Sequence, residues 1–89
     1  YLHFKQVDGS VFQKVMDEHL DSDTAFDINV MCDIPDGIID FGEIRRVIED
    51  IGFSGIAVVE SDMPRATNAQ AFASAKRNLQ YLRELGIID

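Results

Sequence analysis

Apolar and polar positions along this chain follow two different repeats, and the switches between them mark the predicted elements. Tyr1 to Val7 alternates loosely and reads as a mostly buried strand over residues 1–7. Asp8, Gly9 and Ser10 then turn the chain, with Asp8 or Ser10 placed to cap a helix over 10–20. Within it Val11, Phe12, Val15, Met16, His19 and Leu20 recur at helical spacing. Asp21 to Asp27 is polar and reads as loop or a second short helical turn. Asn29 to Ile34 is apolar and runs into Pro35-Asp36-Gly37, a strong turn signal.

Asp40 is placed to cap the next helix, over 41–51, with Glu43 three residues on in a box-like pattern. Ile44, Val47, Ile48 and Ile51 give that helix an apolar stripe, and Gly52 ends it. Residues 56–60, Ile-Ala-Val-Val-Glu, form a second strand in which Val58 and Val59 are expected to be buried. A loop containing Pro64 follows, and Thr67 or Asn68 caps a last helix over 69–85. Phe72, Ala75, Leu79 and Leu82 line it, and Gly86 stops it. No internal repeat or low-complexity segment interrupts this order.

Strand, crossover helices and strand make the βαβ unit of a parallel sheet. Two parallel strands leave both sheet edges unpaired, which small stable domains avoid. The chain also starts inside a strand, with no cap or polar leader before Tyr1. The pattern therefore predicts a piece of a larger α/β domain, with neighbouring strands outside these 89 residues.

Composition narrows the partners. With 46% hydrophobic and 27% charged residues the chain is of globular type, with room for one small core. A net charge of −8 argues against a nucleic-acid or anionic-membrane surface, which needs a basic patch. Arg45, Arg46, Arg65, Lys76, Arg77 and Arg83 are instead scattered through acidic surroundings. No apolar run approaches the ~20 residues of a membrane span and no signal-peptide pattern is present, so no membrane partner is expected. The single Cys32 has no internal disulfide partner, which fits a reducing, cytoplasmic setting. In its apolar stretch it reads as a small core residue.

Two side chains carry the candidate chemistry. His3 lies in the first strand, and Glu60 closes the second, where an apolar run gives way to a charge. Burying an unpaired charge costs several kcal/mol or more, so a carboxylate there calls for a partner. In parallel sheets chemistry collects at the carboxyl ends of strands. An imidazole and a carboxylate from neighbouring strands are ligands of the kind that hold Mn²⁺, Co²⁺, Mg²⁺ or Zn²⁺. His19, placed in a helix, reads as a solvated or packed residue.

A competing ion site is the segment CDIPDGIIDFGE, which looks like part of an EF-hand calcium loop. Asp36, Gly37, Ile39, Asp40 and Glu43 fall at loop positions five, six, eight, nine and twelve. Positions one and three must supply oxygen to a hard cation, yet they are Cys32 and Ile34. Starting the loop at Asp33 misplaces Gly37 and Glu43, and the usual second loop is absent. A glycine turn followed by an acid-capped helix explains Asp40 and Glu43 as well, through the helix dipole.

The run HFKQV, then VMCDIPDGIIDF, then IEDIGFSGIAVVESDMP, then ASAKRNLQYLRELG resembles the C-terminal end of the xylose-isomerase-like TIM barrels. Within that superfamily it is most similar to inosose dehydratase and its sugar isomerase and epimerase relatives. These typically show a strand of the type HLKDV, a stretch like G-x-G-x-x-D-F before a helix, a strand of the type VVEQD, and a helix ending in YLRxLG. The resemblance covers essentially the whole chain and implies the last two βα units of a (β/α)8 barrel.

It also implies that His3 and Glu60 are two of four ligands to a divalent metal, Mn²⁺ or Co²⁺ first, with Mg²⁺ or Zn²⁺ as alternatives. Lys5 would point to the substrate and Asp62 would support the metal shell. Gln6 stands where the relatives usually have Asp, and Pro35 replaces a glycine in the loop before Asp40-Phe41.

The implied reaction is dehydration of inosose (2-keto-myo-inositol) or a similar keto-polyol. The metal stabilises the enediolate formed when the α C–H loses its proton, and Glu60 is the candidate base. A ketose or sugar-phosphate isomerase or epimerase on the same barrel is the second reading, and an EF-hand-like calcium module the third. The expected partners are a small polyol or sugar and the remainder of the barrel, and assembly into a homo-oligomer is compatible with both. The 89-residue chain by itself is expected to be inactive.

Overall fold

A computed structural model describes residues 2–60 and 63–88. Two short strands, β1 (Leu2–Phe4) and β2 (Ala57–Val59), pair in parallel, with Leu2 opposite Ala57, His3 opposite Val58 and Phe4 opposite Val59. The Leu2 amide donates to the Ile56 carbonyl at 2.9 Å and the Glu60 amide to the Phe4 carbonyl at 3.0 Å, extending the ladder at both ends. Between the strands lie α1 (Gly9–Asp17), α2 (Ser22–Asp27), a single 3₁₀ turn (Ile34–Asp36) and α3 (Phe41–Asp50); α4 (Asn68–Glu84) follows β2. No helix among the described residues is long and apolar enough to cross a membrane.

Local side-chain chemistry sets the helix starts. Asp8 caps α1, its Oδ1 accepting from the Ser10 and Val11 amides, each at 3.0 Å. Asp21 caps α2 through the Thr24 amide, and Asp40 caps α3 through the Gly42 and Glu43 amides. Thr67 caps α4 in a closed box: its Oγ1 accepts from the Gln70 amide at 3.1 Å, and Gln70 Oε1 accepts from the Thr67 amide at 2.8 Å. The box expected at Asp40 does not close, because Glu43 turns to Arg46 instead. At the other end of α3, Gly52 takes a φ of +65°, a left-handed stop that glycine adopts without strain.

Three expectations shift. Among the described residues, the strand expected over 1–7 pairs with β2 from Leu2 to Phe4. Residues 6–8 then meet the returning apolar segment: the Cys32 amide donates to the Gln6 carbonyl, the Asp8 amide to the Val30 carbonyl, and Val7 bridges Met31 in antiparallel sense. The first helix ends at Asp17 rather than Leu20, because His19 takes a left-handed φ of +52° and Asp21 opens the next helix. The apolar line of α4 is also rotated. Leu82 is 0% exposed, whereas Phe72 is 67% exposed and Leu79 stands partly in solvent. The face turned inward carries Asn78, Tyr81, Leu82 and Leu85.

The core is small. Phe4, Ile34, Phe41 and Leu82 meet at its centre, with Leu2, Ile44, Ile48, Ala57 and Val59 packed around them. The Phe4 and Phe41 rings meet edge to face with centroids 5.5 Å apart. Because strand side chains alternate, Leu2, Phe4, Ala57 and Val59 all face the helices. His3 and Val58 face the opposite side, which no described element covers, and Val58 is 38% exposed rather than buried. On α3, Ile44 and Ile48 pack inward while Val47 and Ile51 stay exposed. Parallel sheets normally bury both faces, so this layer of helices is laid against only half of one.

Candidate metal and substrate site

The open face of the two-stranded sheet carries the site. Strand alternation puts His3 and Lys5 on the same side of β1, and the parallel register brings Glu60 opposite Lys5 at the carboxyl end of β2. The three side chains meet there. The His3 ring donates from Nδ1 to Glu60 Oε1, and Lys5 Nζ lies 3.1 Å from Glu60 Oε2. One carboxylate thus uses one oxygen toward an imidazole and the other toward an ammonium.

Electrostatics follow from these contacts. The hydrogen bond from His3, and then that from Lys5, hold the Glu60 carboxyl below the ordinary carboxylate range. Glu60 is therefore ionised at neutral pH, the state a metal ligand needs. His3 Nδ1 and Glu60 Oε1 face each other directly, so an ion held by both would take the place of the proton they now share. Among the described residues no group of three or more His, Cys, Asp or Glu side chains is gathered. The pair thus fits one part of a metal shell and does not complete one. Asp62, expected to support that shell, lies outside the described residues.

Gln6, which stands where the resembled family usually has Asp, is buried, 1% exposed, and bonded to backbone. Its Nε2 donates to the carbonyls of Ile34 and Ile39, both at 2.9 Å. Its Oε1 accepts from the Val7 amide at 2.9 Å and the Ile39 amide at 3.0 Å. Pro35 sits in the first turn of the 3₁₀ segment, where its fixed φ suits the turn and its missing N–H leaves nothing unpaired.

The acids of the calcium-like segment do not converge. Asp36 accepts a two-pronged contact from Arg77 of α4, Nη1 to Oδ2 at 2.5 Å and Nη2 to Oδ1 at 2.7 Å. That contact holds the Asp36 carboxyl below its usual range and raises the Arg77 guanidinium further above its own. Asp40 is a helix cap and Glu43 pairs with Arg46. Asp40→Ala is therefore expected to cost about 1 kcal/mol as a lost cap and to leave divalent-ion affinity unchanged. Urea unfolding and calorimetric ion titration of the same variant check both parts.

Cys32 is partly buried beside Asp8, Asp36 and Asp33. Burial, then those three charges, push its thiol up to about 11, so it is no nucleophile at neutral pH. His19 is an exposed residue beyond the end of α1.

Gln6, Asn78 and Arg77 were not singled out as a structural set by the residue pattern. Asn78 Oδ1 accepts from the buried Ile34 amide at 2.7 Å, and Arg77 reaches Asp33 at 3.2 Å as well as Asp36. The available signal was a polar residue at an inward helical or strand position, which calls for a buried hydrogen-bond partner. No family model, curated protein or solved structure matches the chain.

Proposed function

We propose that this chain supplies the last two βα units of a (β/α)8 barrel whose metal-dependent site dehydrates inosose or a similar keto-polyol. The carrying observation is the meeting of His3, Lys5 and Glu60 at the carboxyl ends of two adjacent parallel strands, on the sheet face that no described helix covers. Support also comes from the open flank of α3, where Val47 and Ile51 are exposed beside β1. A neighbouring βα unit would cover both. The lone thiol is compatible with the cytoplasm.

In this reading His3 and Glu60 hold a divalent ion, Mn²⁺ or Co²⁺ by preference, with further ligands on strands outside this chain. The ion supplies Lewis acidity toward a substrate carbonyl and its neighbouring hydroxyl. Lys5 stands next to Glu60 and offers an ammonium to substrate oxygen. The contacts that keep Glu60 ionised make it a better ligand and a weaker base. Metal holding is thus its first role. Proton acceptance is the secondary role, open to the carboxylate oxygen that faces Lys5 when that ammonium turns to substrate.

The test uses the full-length protein, stripped of metal and reloaded with Mn²⁺ or Co²⁺, offered 2-keto-myo-inositol and a series of ketoses. Loss of water from the inosose is expected, with His3→Ala losing bound metal and turnover together. Turnover of ketoses without dehydration would move the assignment to an isomerase or epimerase. Calcium binding at Asp36, Asp40 and Glu43, indifferent to His3→Ala, would sink the barrel reading.

A further inference from the structure

The two N–H groups and the carbonyl oxygen of the Gln6 amide are all engaged, and all its partners are backbone groups. The fit is also steric. Gly37 lies so close that a side-chain carbon there would overlap Cγ, Cδ and Oε1 of Gln6. The clamp therefore requires a glutamine at one position and no side chain at the other.

Its place in the chain matters more than its strength. Glu60 donates its amide to the Phe4 carbonyl, the last ladder bond between the strands among the described residues. Past Phe4, β1 meets no further described residue of β2. The Lys5 backbone is thus held on one side by that ladder bond and on the other by the Gln6 clamp. Lys5 reaches Glu60 through a long side chain, so a small backbone rotation at residues 5–6 displaces its Nζ by ångströms. Misplacement of about 1 Å in a site costs up to ~10²-fold in rate.

We propose that Gln6 is a positioning residue: by clamping residues 34–39 to the end of β1, it holds the Lys5 ammonium in register with Glu60. This rests on the assignment of His3, Lys5 and Glu60 as the site. It turns the departure from the relatives at residue 6 into a device of this chain. Ile34, also bound by Asn78 from α4, makes the clamp continuous with the core.

The experiment compares Gln6→Ala, Gly37→Ala and their double variant in the full-length, Mn²⁺-loaded protein. Gln6→Glu keeps both acceptor bonds but sets its second oxygen against the Ile34 and Ile39 carbonyls, so it tests the two donor bonds, and far-UV circular dichroism of every variant checks that it folds. Each single change is expected to lower kcat about 10-fold or more while Mn²⁺ affinity holds, because His3 and Glu60 are untouched. The double variant should be no worse than Gln6→Ala, since the alanine at 37 then meets no glutamine.

Two readouts need no turnover. The Ile39 amide should exchange with solvent faster in Gln6→Ala, and lysine side-chain NMR should show loss of the Lys5–Glu60 contact. Unchanged kcat, or a persistent Lys5–Glu60 contact beside a released Ile39 amide, would overturn the positioning role. If wild-type protein takes up no Mn²⁺, the metal-enzyme assignment falls, and the NMR contact alone decides whether Gln6 positions Lys5.

Discussion

On the proposed metal-enzyme assignment, Glu60→Gln in the complete protein is expected to lower turnover by on the order of 10³-fold and to abolish tight Mn²⁺ or Co²⁺ binding. The substitution keeps the size of the side chain and removes its charge. Glutamine offers one neutral oxygen where the carboxylate faces the His3 ring with one oxygen and the Lys5 ammonium with the other. The side chain is partly exposed, so folding stability at neutral pH should change little. Metal analysis after dialysis and turnover of the same preparation measure the two effects, and retained metal with retained turnover would remove Glu60 from the site.

The pH dependence has a definite sign. The folded-state pKa of Glu60 is depressed by His3 and Lys5. Its contribution to stability is therefore complete above the ordinary carboxylate range and is lost as pH falls through the lowered value. Glu60→Gln should remove that acid limb and leave stability at neutral pH nearly flat. On the proposed assignment, metal loading should weaken in acid as well, because protons compete with the ion for Glu60.

Leu82→Ala is expected to destabilise the fold by about 2–5 kcal/mol. Leu82 is fully enclosed and joins α4 to Phe4, Ile34 and Phe41, so its loss leaves a cavity at the point where helix, strand and returning loop meet. Against a usual total of roughly 5–15 kcal/mol, that is a large share. Phe72→Ala, one of the line expected to face inward, should cost under about 1 kcal/mol. That ring stands in solvent with Lys76 Nζ 5.6 Å from its centroid. Denaturant unfolding of both variants in the full-length protein decides between the two faces of α4, and equal losses would reverse the assignment.

The contrast on α4 shows where residue patterns mislead. Phe72, Ala75, Leu79 and Leu82 are apolar at helical spacing, but the buried line passes through Asn78. An asparagine reads as solvent-facing until its partner, the Ile34 amide 44 residues earlier, is placed beside it. Gln6 misleads in the same way, and only the return of residues 34–39 shows what it binds. Thr67 was legible beside Asn68 as a cap candidate, whereas the box it closes with Gln70 came from the structure.

By itself, the sequence determined what acts over a few residues: the caps at Asp8, Asp40 and Thr67, the glycine stop at Gly52, and two strands separated by helices. These depend on hydrogen bonds and dihedral preferences that close within one helical turn, so composition and spacing carry them. It also set His3 and Glu60 on neighbouring strands as a candidate pair. Only the tertiary structure showed that they touch directly, 57 positions apart, with Lys5 as the third. The parallel register sets that meeting, and the register follows from how Phe4, Ile34, Phe41 and Leu82 pack together.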